Sequence, residues 1–95
     1  MERSTKQING LDISYIQKNS INSDTLFLFL HGNSLGAEMF KEQLNSALFN
    51  SFNCIAMDIP GCGQSTLKPN ISLTDIFDTV VEFINSFNAN AVIVV

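Results

Sequence analysis

The sequence predicts a three-layer α/β fold, in which a β-hairpin leads into parallel strands joined by crossover helices. Two observations support this prediction. Short apolar runs, typical of strands buried on both faces, alternate along the chain with longer segments of helical periodicity. An alternation of this kind implies parallel pairing of the strands, with helices covering the sheet.

A hairpin is predicted over residues 4–17. The pair Asn9-Gly10 is the strongest short turn signal, because both residues tolerate positive φ. Residues 18–24 form a polar connection to the next element. The arm after the turn has the period of a half-buried strand, and its apolar members are Leu11, Ile13 and Tyr15.

Two buried strands and a helix are predicted next. Residues 25–30 and residues 52–57 have the apolar character of strands that need cover on both faces. Between them, residues from about 37 to 49 show helical periodicity, with polar side chains on the opposite face. The apolar face of this predicted helix consists of Phe40, Leu44, Ala47 and Leu48.

The last predicted elements are a loop, a long helix and a strand. Residues 58–70 contain both prolines and two of the five glycines, which indicates a loop. Ser72 opens the helix, with Asp75 three residues later as a capping-box-like partner. Residues 88–90 end it, and residues 91–95 begin a β-branched strand. The helix carries a long apolar stripe of Leu73, Ile76, Phe77, Val80, Val81, Ile84 and Phe87.

Composition and charge exclude several classes of function. Five basic and nine acidic residues are scattered, so no basic stripe is available for nucleic acid. Apolar runs such as residues 26–30 are too short to span a bilayer. Two cysteines, Cys54 and Cys62, and one histidine are too few for a zinc site, and no cofactor is expected. With so few cysteines and no signal-peptide core, a cytoplasmic protein without disulfides is predicted.

The segment His31-Gly32-Asn33-Ser34 follows a predicted buried strand, where ligands of open α/β sheets bind. A glycine at this point lets the backbone turn sharply and leaves amide groups free to point outward. Such amides can hold the oxygen that becomes negative when an ester or amide carbonyl is attacked. A plain strand-to-helix turn is the structural alternative.

A second loop, Asp58-Ile59-Pro60-Gly61-Cys62-Gly63-Gln64-Ser65, follows the next strand. Asp58 can bond amides further along the loop, and the glycines allow close backbone approach. Together the two loops resemble those of the α/β-hydrolase family, which has a His-Gly-x oxyanion loop after its third strand. After its fourth strand the family has the stretch Asp-x-Pro-Gly-x-Gly-x-Ser, often with histidine where Cys62 stands.

The resemblance implies that residues 1–95 are the N-terminal part of an α/β-hydrolase sheet, ending at the strand before the nucleophile elbow. The Asn33 backbone N–H would be one oxyanion-hole donor, and His31, Gly32 and Ser34 would lie at the substrate. The implied activity is that of a serine hydrolase acting on a carboxylic ester, lactone or amide. The chain alone would be inactive, because no nucleophile, acid or base of the triad is placed in it.

Two features of the first loop invite other interpretations. Gly32-Asn33-Ser34-Leu35-Gly36 is a literal G-x-S-x-G, which makes Ser34 an alternative nucleophile. The family order argues against it, because the elbow follows the fifth strand, residues 91–95. His31 could be a general base, but the resemblance gives it a loop-shaping role. The loop is also similar to that of some acyl-homoserine lactone hydrolases.

Other classes of protein remain open. A non-catalytic binding domain on a hydrolase-like or flavodoxin-like sheet would lack a serine elbow, as would a degenerate hydrolase remnant. The enzyme hypothesis predicts Gly-x-Ser-x-Gly directly after Val95. The outer edge of the last strand would be apolar and unpaired, so the polypeptide made alone is expected to self-associate or be poorly soluble.

Overall fold

The structure, a computed structural model, describes residues 2–18, 25–32 and 36–95. Within these ranges the chain forms five strands and two α-helices. The strands are β1 (Glu2–Ile8), β2 (Leu11–Lys18), β3 (Thr25–Leu30), β4 (Asn53–Met57) and β5 (Ala91–Val94). The helices are α1 (Lys41–Asn45) and α2 (Leu73–Asn85). None of the described helices is long and apolar enough to cross a membrane.

The strands form one mixed sheet in the order β1-β2-β4-β3-β5. β2 pairs antiparallel with β1 and with β4, whereas β3 pairs parallel with β4 and with β5. The predicted hairpin followed by parallel strands is therefore confirmed. Because β3, β4 and β5 run in the same direction, their carboxyl ends lie at one edge of the sheet.

The hairpin turn has the backbone geometry that its sequence predicts. Asn9 and Gly10 have φ of 52° and 79°, so both lie in the left-handed region that a two-residue turn between twisted strands requires. The arms extend slightly beyond the predicted residues 4–17. The predicted connection begins at Lys18, which ends β2, and its remaining residues, 19–24, lie outside the described residues.

Helices cover both faces of the sheet, which confirms the three layers. Alternate residues of β2, β3 and β4 point to opposite faces, as the period of a strand requires. On one face they pack with Phe83 of α2; this cluster comprises Ile8, Leu11, Ile13, Tyr15, Leu26, Leu28, Ile55, Met57 and Phe83. On the other face lie Ile16, Phe29, Ala37, Phe40, Leu44, Cys54 and Ala56.

The continuous helix predicted over residues 37–49 is wrong. A 3₁₀ turn (Ala37–Phe40) leads into the short α1, and a second 3₁₀ turn (Ala47–Phe49) follows it. The break is at Ser46, whose ψ is 138° and whose Oγ accepts the Leu48 N–H at 3.3 Å. Because the break resets the helical phase, Leu48 is 81% exposed, although Phe40 and Leu44 are buried as predicted.

The predicted stripe of α2 is wider than the face that it buries. Thr79 and Phe83 are the buried residues of the helix, and Phe83 lies edge-on to Tyr15 with ring centroids 5.3 Å apart. Ile71, Val80, Ile84 and Phe87 pack partly against the same cluster. Leu73, Phe77 and Val81, which the pattern assigned to the stripe, lie on the neighbouring face and are exposed.

Candidate active site

An open cleft of about 380 Å³ lies at the edge of the sheet where β3 and β4 end. Its volume is within the range of about 300–1,000 Å³ that small-molecule sites occupy. The two predicted loops and the first turns of α2 contribute its walls. The lining residues are His31, Gly32, Ile59, Cys62, Leu73, Ile76 and Phe77. Most of them are apolar, and the predicted residues His31 and Gly32 are among them.

Both ring nitrogens of His31 are hydrogen-bonded, and the bond at Nε2 joins the two loops. His31 is 5% exposed, and its Nε2 accepts the Ile59 N–H at 3.0 Å. Since an amide can only donate, Nε2 is the unprotonated nitrogen, and Nδ1 donates to the Gly32 carbonyl at 2.6 Å. An imidazole held in this way shapes the loop and has no nitrogen free to act as a general base.

The predicted oxyanion donor Asn33 and the alternative nucleophile Ser34 lie outside the described residues. Their assignments stay predictions. The structure does describe what holds the chain on either side of them, namely His31 before them and Ala37 after them. Both residues are buried and hydrogen-bonded to the loop that follows β4.

Asp58, directly after β4, is the centre of the hydrogen bonds between the loops. Its side chain is completely buried. Oδ1 accepts the Ala37 N–H at 2.6 Å, and Oδ2 accepts the Gln64 N–H at 2.9 Å and Nη1 of Arg3 at 2.7 Å. Burial alone would raise the pKa of Asp58, but these bonds from Ala37, Gln64 and Arg3 outweigh burial and lower the pKa.

Arg3 reaches this carboxylate from β1. Its Nη1 also donates to Ser14 Oγ at 2.7 Å, and its Nη2 pairs with Glu38 Oε1 at 2.8 Å. Burial tends to lower the pKa of Arg3, but the bonds to Glu38 and Asp58 raise it. The sequence contained no signal for this contact, because Arg3 and Asp58 are 55 positions apart and β1 has a weak pattern.

Two glycines make room for the carboxylate. A Cβ at Gly63 would lie 2.3 Å from Asp58 Cγ, and one at Gly36 would lie 2.9 Å from Oδ1. Gly63 also has a φ of 51°. The loop is closed further by Ser65, whose Oγ donates to the Asp58 carbonyl at 2.6 Å and accepts the Ser14 N–H at 2.9 Å. Close backbone approach is therefore what these glycines provide.

The chain combines a hairpin with a mixed sheet in which β3, β4 and β5 are parallel. Two glycine-bearing loops lie together where β3 and β4 end. This combination is that of the α/β-hydrolase fold. The family model described as "Alpha/beta hydrolase family" matches residues 27–95. The chain belongs to the α/β-hydrolase family. No curated protein sequence matches it.

Several solved structures share this fold. A mutant of DBJA is 26% identical, with a TM-score of 0.83 and coverage of 99% of this chain and 32% of its own. A haloalkane dehalogenase loop variant from Bradyrhizobium elkanii is 25% identical (TM-score 0.83, coverage 98% and 30%). An epoxide hydrolase from Vigna radiata, at 21% identity, shares the fold (TM-score 0.85, coverage 98% and 30%). The chain spans about a third of the length of these proteins.

Proposed function

We propose that this chain is the N-terminal part of a serine hydrolase that acts on a carboxylic ester, lactone or amide. In this proposal the Asn33 N–H is one donor of the oxyanion hole. The observation that carries it is the attachment of residues 31–37 at both ends to the loop after β4, through His31 and Ala37. Amides that are fixed before the reaction are the kind that stabilise a developing oxyanion.

The end of β5 supports the same proposal. The Val95 N–H donates to the Leu28 carbonyl at 2.8 Å, and the Leu30 N–H donates to the Val95 carbonyl at 3.2 Å. A nucleophile elbow after Val95 would therefore begin beside the end of β3, next to His31. The apolar walls of the cleft suit the acyl or alkyl part of a substrate whose carbonyl lies at the elbow.

A second candidate reaction is displacement at a saturated carbon. Two structures of the same fold are described as an epoxide hydrolase and a haloalkane dehalogenase. Attack at a saturated carbon forms no tetrahedral oxyanion, so the Asn33 amide would not act in that first step. Where a carboxylate of the enzyme displaces the leaving group, an alkyl-enzyme ester forms, and the amide would act only when water hydrolyses that ester. The two candidates therefore differ in their substrates and in the step at which the Asn33 N–H would act.

The test compares Asn33→Pro with Asn33→Ala in the full-length protein. Proline removes the N–H and alanine keeps it, so we expect Asn33→Pro to lower kcat on a p-nitrophenyl ester by about 10²–10³-fold. Asn33→Ala should stay near wild type. Ser34→Ala tests the alternative nucleophile, and the same change at a serine following Val95 tests the proposed one. Thermal unfolding shows whether each variant is folded.

Several outcomes would contradict the proposal. Turnover of an epoxide or a haloalkane without turnover of esters, lactones or amides would favour displacement at a saturated carbon. An equal decrease of kcat in Asn33→Pro and Asn33→Ala would show that the Asn33 N–H has no role in the reaction. A folded full-length protein that turns over none of these substrates would favour a non-catalytic binding domain or a hydrolase remnant.

A cytoplasmic location stays a prediction, which cell fractionation tests.

A further inference from the structure

We propose that Arg3 and Asp58 form a positioning pair that fixes Ala37, the residue at which the predicted oxyanion loop enters its 3₁₀ turn. The inference rests on the proposed function, since it concerns the same oxyanion loop. It assigns a role in the site to a residue of the first strand, outside both loop motifs.

The bond between Ala37 and Asp58 fixes the start of the 3₁₀ turn. Ala37 is completely buried, so its N–H cannot turn to water for a partner. The 2.6 Å bond to Asp58 Oδ1 is therefore the fixed point at which the loop after β3 enters its 3₁₀ turn. A buried amide that loses such a partner is destabilised by about 1–3 kcal/mol. Any shift of the Asp58 carboxylate would draw Ala37 with it.

Asp58 in turn depends on its ion pair with Arg3. The two bonds from Ala37 and Gln64 are to backbone amides, and Arg3 supplies the only cationic partner that the structure records for this carboxylate among the described residues. Arg3 is itself fixed by Ser14. It also pairs with Glu38, the residue after Ala37. Arg3 therefore holds the start of the 3₁₀ turn by two routes, one through Asp58 and one directly.

The carboxylate of Asp58 has little free space around it. Gly36 and Gly63 approach it so closely that a Cβ on either would come within 3 Å of an Asp58 side-chain atom. The carboxylate cannot move towards either backbone without a clash. Its position, and with it that of Ala37, is thus determined by packing on two sides and by Arg3 on the third.

The other end of the segment is held separately, because His31 bonds to the Ile59 N–H without the help of Arg3. Loss of Arg3 should therefore release one end of residues 31–37 and leave the other in place. The expected effect is a loop that stays bonded at His31 and is less firmly held at Ala37. Such a defect acts on the transition state more than on substrate binding.

The experiment uses the full-length protein with Arg3→Gln, Arg3→Lys and Asp58→Asn. Lys6→Gln is the matched control, since Lys6 is a partly buried cation on the same strand that contacts Ser86 and Phe87 instead. We expect Arg3→Gln to lower kcat about tenfold with KM within about twofold, because misplacing a catalytic group costs less than removing it. Arg3→Lys should recover part of the loss.

A second readout, hydrogen exchange at the Ala37 and Gln64 amides, does not depend on activity. Exchange at both should be faster in Arg3→Gln than in wild type and unchanged in Lys6→Gln. Unchanged exchange in Arg3→Gln overturns the proposed pair. Faster exchange with an unchanged kcat overturns its role in the site while leaving the serine hydrolase proposal standing. Absent ester turnover in wild type contradicts that proposal, and the exchange data still decide whether Arg3 holds Ala37.

Discussion

A single buried carboxylate organises the candidate site at the scale of residues. Asp58 is charged in a place that excludes water, and such a group is stable only where donors surround it. Its three donors come from β1, from the 3₁₀ turn after the first loop and from its own loop. The local geometry of both loops therefore depends on the charge of one side chain.

Replacing Asp58 with asparagine tests this dependence through pH. The pKa of Asp58 is lower in the folded chain than in the unfolded chain. As the pH falls below the ordinary aspartate pKa of about 3.9, the unfolded chain therefore binds a proton at Asp58 before the folded chain does. The stability that Asp58 contributes is complete above that pH and is lost below it. We expect Asp58→Asn to have a lower free energy of unfolding than wild type at pH 7. This difference in free energy should become smaller as the pH falls towards 3.

Denaturant unfolding at a series of pH values measures this gap, with Asp12→Asn, an exposed aspartate of β2, as the control. A gap that stays constant between pH 7 and pH 3 would mean that the charge of Asp58 does not stabilise the fold.

Substitutions at two glycines with positive φ distinguish the cost of backbone strain from the cost of a steric clash. Gly10 (φ 79°) has open space where a Cβ would lie, whereas a Cβ on Gly63 (φ 51°) would lie against the Asp58 carboxylate. Gly10→Ala should cost about 1–2 kcal/mol for the left-handed backbone alone. Gly63→Ala should cost about 2 kcal/mol more, because the carboxylate must leave its amides. Denaturant unfolding measures both variants. An equal loss of free energy of unfolding in the two would contradict the close approach of Gly63 to Asp58.

Sequence could predict part of this residue-scale arrangement. That Asp58 would bond amides along its own loop follows from its residue type and from the glycines after it, and the Gln64 bond is of that kind. The contact with Arg3 could not be predicted, because it depends on the pairing of β2 with both β1 and β4, which joins distant parts of the chain. Long-range pairs of this kind leave no local pattern.

At the scale of elements, local signals predicted the hairpin and the start of α2, and failed where tertiary contacts decide. Asn9-Gly10 and Ser72 act through their own backbone and hydroxyl, so their effects can be seen in the sequence. The break at Ser46 and the burial of Phe83 depend on what each segment packs against. A periodic pattern alone assigned Leu48 to the buried face, although the structure exposes it.

The cap of α2 can be tested by two substitutions at one position. Ser72 Oγ accepts the Asp75 N–H at 3.0 Å, and its loss in Ser72→Ala should lower the free energy of unfolding by about 1 kcal/mol. Ser72→Asp keeps an acceptor and adds charge at the positive end of the helix, so it should match wild type or exceed it. Denaturant unfolding measures both, and a loss shared by the two variants would contradict the capping role.

At the scale of the whole molecule, the two edges of the sheet differ in character. β1 forms one edge and is largely polar, with Arg3 and Lys6 among its side chains, and charge on an edge discourages pairing with other chains. β5 forms the other edge with the sequence AVIV, and among the described residues no further strand pairs with it. A fold whose apolar edge is open in this way gains stability from any strand that covers it.

We therefore predict that the 95-residue polypeptide self-associates through β5. Val94 is 56% exposed at this edge, and Val94→Lys should raise the soluble monomeric fraction in analytical ultracentrifugation, because a lysine on an edge strand opposes pairing. Leu48→Lys is the matched control, since Leu48 is 81% exposed and lies away from β5 on the second 3₁₀ turn. The two variants carry the same net charge, so a larger effect of Val94→Lys reports the edge itself. A wild-type chain that sediments as a stable monomer, or an equal gain from both lysines, would show that the open edge does not drive association.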